Sequence, residues 1–213
     1  MQFGVDEAGK GPVLGSMFAA AVVAEPDRLP GAVADSKRLE PARREALAEE
    51  LTRDPAVEIG VAEVPVSRID DPQTDMNSLT VEAQSEALSQ VAEPGLEGYV
   101  DAGDTNENRF ARRLDEAVPA EVTIRAEHGA DDRYAIVAAA SIVAKVRRDA
   151  HVAALNEEYD GELGSGYPSD PTTREFLEDY LADAGTFPEC ARRSWKTCRE
   201  LEADLEQSGL TDY

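Results

Sequence analysis

The chain opens with a short apolar strand whose last residues carry charge. In Gly4-Val5-Asp6-Glu7-Ala8-Gly9-Lys10-Gly11-Pro12, two adjacent carboxylates close the strand and a glycine turn with one cation follows. A buried carboxylate is costly unless it is paired or bound to a metal. Two arrangements satisfy this. The segment is a strand followed by an ordinary acidic turn, or a hard divalent cation offsets the cost, and oxygen ligands then suit Mg²⁺ or Mn²⁺. The glycines let the backbone approach a ligand closely, and Lys10 adds a point charge for phosphate.

The rest of the chain bounds these choices. Its 213 residues fit one large domain with a C-terminal extension, and 42% hydrophobic content supports a sizeable core. No apolar run is long enough to cross a membrane and the first residues lack a signal-peptide pattern, so a soluble, cytoplasmic protein is expected. Acids outnumber bases 44 to 21, for a net charge of -23. Phosphate contacts supply much of the affinity of nucleic-acid enzymes, so this balance read naively argues against one. The lysine content gives a better reading: Lys10, Lys37, Lys145 and Lys196 are the only ones, and every other cation is arginine. A lysine-poor, acid-rich surface suits molar salt, where the Debye length falls to roughly 3 Å. The composition therefore points to a halophilic, archaeal source, with a local basic lining kept at the site. Cys190 and Cys198 are expected to be free and partly buried, and spacing gives no zinc site. His128 and His151 have no partner at metal-ligand spacing, so structural or surface roles are expected.

Periodicity predicts alternating elements. Residues 2–7 and 13–24 form an antiparallel pair around the glycine turn, and 57–66 a third strand. Helices are predicted from Asp35-Ser36 through Leu51, from Asn77 to Val91, over 106–117, over 134–159, over 172–184 and over 192–206. Short strands are predicted at Tyr99-Val100-Asp101 and 122–126, and a loop over 161–171. The order argues an α/β fold with a mixed sheet. The Pro/Gly-rich stretch near Ala184–Pro188 suggests a division into a catalytic body, 1–184, and a helical extension, 185–213.

Acids recur at the ends of these elements: Asp6 and Glu7, then Asp101, then Asp131. Successive strand residues face opposite ways, so Asp6 and Glu7 can share a metal only if the strand ends or twists there. Asp131 precedes the longest helix, where Asp commonly serves as N-cap; Asp132 could instead serve as the cap or as a first-turn acid. Ser141 and Lys145 lie four apart, on one helix face. The alanines at 138, 139, 140 and 144 read as close helix–sheet packing.

Five segments in order resemble the ribonuclease HII family of type 2 ribonucleases H. They are Asp6-Glu7-Ala8-Gly9-Lys10-Gly11-Pro12-Val13-Leu14-Gly15, Asp35-Ser36-Lys37-Arg38-Leu39, Tyr99-Val100-Asp101, Ala130-Asp131 leading to Ala139-Ala140-Ser141-Ile142-Val143-Ala144-Lys145, and Gly164-Ser165-Gly166-Tyr167-Pro168-Ser169-Asp170-Pro171. The resemblance reaches about Lys196, and the last segment is similar to the archaeal and eukaryotic branch. It implies a ribonuclease H-like fold, a central mixed sheet flanked by helices. It selects Asp131 over Asp132 and implies Asp6, Glu7, Asp101 and Asp131 as catalytic metal ligands for two Mg²⁺ or Mn²⁺ ions. Lys37, Arg38, Ser141, Lys145 and Arg148 are candidate phosphate contacts. Discrimination of the 2′-hydroxyl falls to Gly9, Lys10, Gly11 and Tyr167; Lys10 stands in place of an arginine and lacks its planar fork.

The expected activity is hydrolysis of the RNA strand of RNA/DNA hybrids, and of ribonucleotides embedded in duplex DNA, leaving 3′-hydroxyl and 5′-phosphate ends. This serves ribonucleotide removal and primer processing. Two rivals remain: another nuclease on the same sheet, such as a resolvase or transposase-like enzyme, and a non-catalytic hybrid-binding clamp partner. A ribose requirement separates the first; a broken acid set would mark the second. The last residues, Gln207-Ser208-Gly209-Leu210-Thr211-Asp212-Tyr213, resemble a sliding-clamp interaction motif in which Gln207, Leu210 and Tyr213 are the contacts on a short terminal turn. A monomer is expected.

Overall fold

The computed structural model describes residues 1–33, 39–159, 161 and 163–210, those from 206 onward by main chain alone. One sheet forms from β1 (Gln2–Ala8), β2 (Met17–Ala24), β3 (Glu58–Val64), β4 (Glu97–Asp101) and β5 (Thr123–Glu127), in the spatial order β3-β2-β1-β4-β5. The short connection after β1 permits only an antiparallel neighbour, and β1–β2 and β2–β3 pair that way. Helical crossovers make β1–β4 and β4–β5 parallel. The helices are α1 (Pro41–Arg53), α2 (Val66–Ile69), α3 (Met76–Ser89), α4 (Glu107–Ala117), α5 (Ala135–Glu158), α6 (Pro171–Ala184) and α7 (Lys196–Leu210).

Side-chain alternation gives the sheet two apolar faces. Phe3, Val5, Ala19, Ala21 and Val100 pack under α3 and α4, whereas Ala20, Val22 and Ala24 pack under α1 and α5. Helix α5 lies directly on β1, because Gly4 has no side chain: a Cβ there would collide with the main chain of Ile136 and Val137. The alanines at 138, 139, 140 and 144 are fully buried in this contact, as the sequence suggested.

A third cluster joins Val13 and Leu14 to Leu155, Leu163, Leu177, Leu181, Phe187, Cys190, Cys198 and Leu201. It draws on both sides of the division expected at residue 184. Both cysteines are free and buried. The ring of His151 is structural, its Nε2 accepting the Ser16 N–H at 3.1 Å, while His128 lies exposed.

Several boundaries differ from the sequence reading. Residues 13–16 are not strand: the amides of Val13 and Leu14 donate instead to the Gly166 carbonyl, at 2.7 and 3.2 Å. Asp75 is the N-cap of α3, accepting from the amides of Asn77 and Ser78. The last helix starts at Lys196 rather than residue 192, because the segment before it folds back on the glycine turn. It also runs on to Leu210, so the main chain of Gln207 and Leu210 is helical rather than a terminal turn. Tyr213, the predicted helix start at Asp35-Ser36, and the candidate contacts Lys37 and Arg38 lie outside the described residues.

Candidate active site

Parallel pairing sets Val5 beside Val100, so the next residues on the neighbouring strands are Asp6 and Asp101. Both central strands end at the same edge of the sheet, where open α/β sheets bind their ligands. The acids leave this edge on both faces. Asp6 turns towards α5, is 5% exposed, and is hydrogen-bonded by the Ser141 hydroxyl and, at 2.7 Å, by the Glu7 amide. Glu7 turns towards α3, where Gln84 Nε2 donates to its Oε2 at 2.6 Å and to the Asp101 main-chain oxygen at 3.1 Å. Gln84 is fully buried and ties Glu7 to β4.

The fourth acid comes from the turn before α5. Gly129, at φ 63°, opens a 3-10 turn over Ala130–Asp132, and the Ala130 amide donates to Asp101 Oδ1 at 2.8 Å. Asp131 is buried and Asp132 exposed. Neither caps α5: Tyr134 is its N-cap and makes no side-chain cap bond, which corrects the capping role, while Asp132 lies in the first turn of the 3-10 helix before it.

The electrostatics follow from packing acids at one edge. Burial raises the Asp6 carboxyl well above its usual range, and the charges of Glu7 and Asp101 push it further. Burial likewise pushes Glu7 up to about 7, with Lys10 and Gln84 pulling it back and Asp101 opposing them. Lys145 Nζ donates to Ser141 Oγ at 2.9 Å, so a chain runs from Lys145 through Ser141 to Asp6. Ser141 is fully buried and therefore serves the acid from within the helix–sheet contact, while Lys145 reaches the cleft.

That cleft has a volume of about 380 Å³ and is lined by Glu7, Gly9, Lys10, Gly11, Arg44, Lys145, Arg148 and Tyr167, among others. Its cations form the basic lining expected within an acidic chain. Gly9 adopts φ 90°, and a Cβ there would come within 3.0 Å of the Ser16 carbonyl oxygen, so only glycine fits. Lys10 turns inward, its Nζ donating to the Gly103 carbonyl and, at 3.4 Å, to Asn77 Oδ1. Tyr167 is 43% exposed with the Arg148 guanidinium 5.4 Å from its ring centre, which rules out an ordinary buried aromatic. Its loop is pinned by Thr173, whose hydroxyl donates to Leu163 O at 2.7 Å and accepts the Gly166 N–H at 3.0 Å.

Asp6, Glu7 and Asp101 fit a divalent ion by donor type: hard oxygens at one edge, whose mutual repulsion a cation would relieve. Among the described residues, no three carboxylates, histidines or cysteines are already gathered into a cage, so the fit is one of chemistry and field. Asp104, close to Asp101 in sequence, is committed elsewhere: Arg109 grips both its oxygens, at 2.9 Å (Nε to Oδ2) and 2.5 Å (Nη2 to Oδ1).

Sequence reasoning missed Gln84, Arg44 and Arg192. Gln84 sits on the apolar face of α3, and a polar residue on that face was the available signal. Arg44 enters the cleft through α1 and pairs with Asp149 of α5 at 3.0 Å, a contact no local pattern announces.

The raised Glu7 carboxyl carries a pH dependence. In the unfolded chain Glu7 ionises near 4.5, whereas in the fold it holds its proton to about 7. The native state thus binds more protons in that window, and stability contributed here falls as pH rises through it. The metal-free protein is expected to melt lower at pH 8 than at pH 5.5. Glu7→Gln should flatten that difference, and Mn²⁺ should reduce it in the parent; a Glu7→Gln variant as pH-sensitive as the parent would contradict the assignment.

Comparison with known proteins agrees with the fold. The family model described as Ribonuclease HII matches residues 3–198. A Ribonuclease HII of Haloarcula marismortui is 61% identical over 213 residues, covering 100% of both chains. The crystal structure of the ribonuclease H2 from Pyrococcus horikoshii superposes with a TM-score of 0.89 at 41% identity, covering 96% of this chain and 98% of that one. The ribonuclease HII in the PCNA:RNase HII complex from Archaeoglobus fulgidus superposes with a TM-score of 0.83 at 40% identity, covering 94% and 96%. With sheet, helices and near-complete coverage in agreement, the chain belongs to the ribonuclease HII family and is an endonuclease of the ribonuclease H class.

Proposed function

We propose that this endonuclease hydrolyses the RNA strand of RNA/DNA hybrids and cuts at single ribonucleotides embedded in duplex DNA, with Asp6, Glu7, Asp101 and Asp131 holding two divalent ions. The observation that carries the reading is the meeting of Asp6, Glu7 and Asp101 at one strand edge, beside a basic cleft shared by the glycine turn and Tyr167. Held by these acids, Mg²⁺ or Mn²⁺ would supply a water of lowered pKa and positive charge beside the leaving 3′-oxygen. The protein's own groups do the rest. Ser141 and Gln84 hold Asp6 and Glu7 in place. Lys145, Arg148 and Arg44 offer positive charge to the phosphates, and Lys37 and Arg38 are proposed to join them. The Gly9–Gly11 backbone and the Tyr167 hydroxyl meet the ribose. The products are a 3′-hydroxyl and a 5′-phosphate. A single cleavage assay tests this with all-DNA, single-ribonucleotide and long-hybrid duplexes in Mg²⁺ and in Mn²⁺. Cutting confined to ribose-containing strands supports the reading, and equal cutting of all-DNA duplex overturns it.

Tyr167→Phe isolates the ribose contact. The ring is exposed, so the fold should be untouched. Losing one hydrogen bond of about 1 kcal/mol should slow cleavage at a single ribonucleotide roughly five- to tenfold. A variant that loses melting temperature but keeps its specific activity would make Tyr167 structural.

We further propose a sliding-clamp contact through Gln207, Leu210 and Tyr213, as a cytoplasmic monomer at the replication machinery. Its support is the terminal sequence and the similarity to a ribonuclease HII solved with PCNA. Removal of residues 207–213 should abolish binding to the cognate clamp in molar KCl, measured by calorimetry, and equal affinity with and without them would refute the contact.

A further inference from the structure

Arg192 is the largest fully buried side chain among the described residues. A buried guanidinium is costly unless its donors are met. Burial pulls its pKa down to about 10, which leaves it charged at neutral pH. All three of its nitrogens donate to main-chain carbonyls of one loop: Nε to Gly15 at 2.8 Å, Nη1 to Lys10 at 3.2 Å and Nη2 to Gly9 at 2.6 Å. The Arg192 amide donates to the Val13 carbonyl at 2.8 Å. Trp195 completes the brace, lying 5.0 Å from the guanidinium and donating its indole N–H to Gly11 O at 3.3 Å. The segment is itself anchored, since Asp70 accepts the amides of Arg193 and Ser194 at 2.8 and 3.0 Å.

The direction of these bonds matters. In a planar trans peptide, C=O and the following N–H point opposite ways. With the carbonyls of Gly9 and Lys10 drawn towards Arg192, the amides of Lys10 and Gly11 point away from it. Gly9, Lys10 and Gly11 line the cleft together with Tyr167.

We infer that Arg192, steadied by Trp195, is the positioning residue that shapes the Gly9–Gly11 turn so that its amides face the nucleic acid, and thereby sets recognition of the ribose-containing strand. The inference rests on the proposed reading of that turn as the sugar contact. It makes the C-terminal segment part of the specificity apparatus through its contacts with the glycine turn. A lysine at 192 keeps the charge but has no fork to span three carbonyls.

Arg192→Lys and the milder Trp195→Phe, which removes only the indole donor, test this together. Steady-state kinetics on the single-ribonucleotide duplex should show KM raised about 10–100-fold in Arg192→Lys, with kcat changed less, because displacing a binding element by about an ångström costs on that order. Trp195→Phe should show a smaller change in the same direction. Calorimetric Mn²⁺ affinity should match the parent, and hydrogen exchange should quicken over residues 9–15 but not in the central strands. Parental KM and exchange in Arg192→Lys would overturn the role, as would faster exchange throughout with lost Mn²⁺ affinity. If the parent itself fails to cut at a ribonucleotide, the proposed activity falls and the positioning role falls with it. If the parent cuts and the variants match it, the positioning role alone is refuted.

Discussion

Asp101→Asn is expected to abolish cleavage while the protein stays folded. Asp101 is level with Asp6 on the neighbouring strand, and its charge raises the carboxyls of both Asp6 and Glu7. Asparagine retains the oxygen that accepts the Ala130 amide, so the turn leading to Asp131 should hold. It removes one negative charge from the site proposed to hold divalent ions. A loss of roughly 4 kcal/mol of transition-state stabilisation corresponds to about 10³-fold in rate. Relief of repulsion should leave the metal-free melting temperature equal to the parent's or a few degrees higher, by about 1 kcal/mol or less. The parent should gain melting temperature on adding Mn²⁺, and the variant should gain less. Turnover within tenfold of the parent at saturating Mg²⁺ would remove Asp101 from the metal site.

The second large effect is loss of stability in dilute buffer. Among the described residues the buried acids are Asp6, Asp104 and Asp131, and Glu7 and Asp101 are half-buried at the site, so most of the acidic excess faces solvent. Screening of a net charge of -23 weakens as the Debye length grows from about 3 Å at 1 M salt to about 10 Å at 0.1 M. The added repulsion in the compact state is on the order of 5 kcal/mol, or roughly 10–20 °C in melting temperature for a chain of this size. Thermal melts in 2 M and 0.1 M KCl measure it directly. The 61% identity to a protein of Haloarcula marismortui agrees with a salt-adapted surface. A melting temperature that is flat or higher in dilute buffer would contradict that reading.

Much of the site was legible in the residues because strand ends and helix spacing are local properties. The apolar run before Asp6, the Tyr99-Val100 strand before Asp101, and the four-residue spacing of Ser141 and Lys145 all follow from neighbours in sequence. So did the long helix, whose limits Tyr134 and Tyr159 are its N- and C-caps. Its alanines forecast how closely α5 would approach the sheet, whereas the part Gly4 plays in that contact emerged only from the fold. Family resemblance, rather than periodicity, singled out Asp131, and burial of Asp131 beside an exposed Asp132 is a tertiary property.

What only the fold decided came from long-range register and packing. That Asp6 and Asp101 both follow the paired Val5 and Val100 depends on a parallel alignment across 95 residues, which no local pattern encodes. Ser141 reads as a phosphate contact until burial turns it towards Asp6. Lys10 reads as a free cation until the approach of Gly103 draws it inward. Residues 13–16 look like a continuation of the apolar strand, yet their amides bond to Gly166, Cys190 and His151, more than a hundred residues away. The brace from Arg192 to Gly9, spanning 183 residues, is the extreme case. The sequence by itself determined which acids close strands and that the chain is rich in acids and poor in lysine, because charge and side-chain period are properties of short segments. The tertiary structure decided which of those groups meet, because a buried charge takes its partners from wherever the chain closes around it.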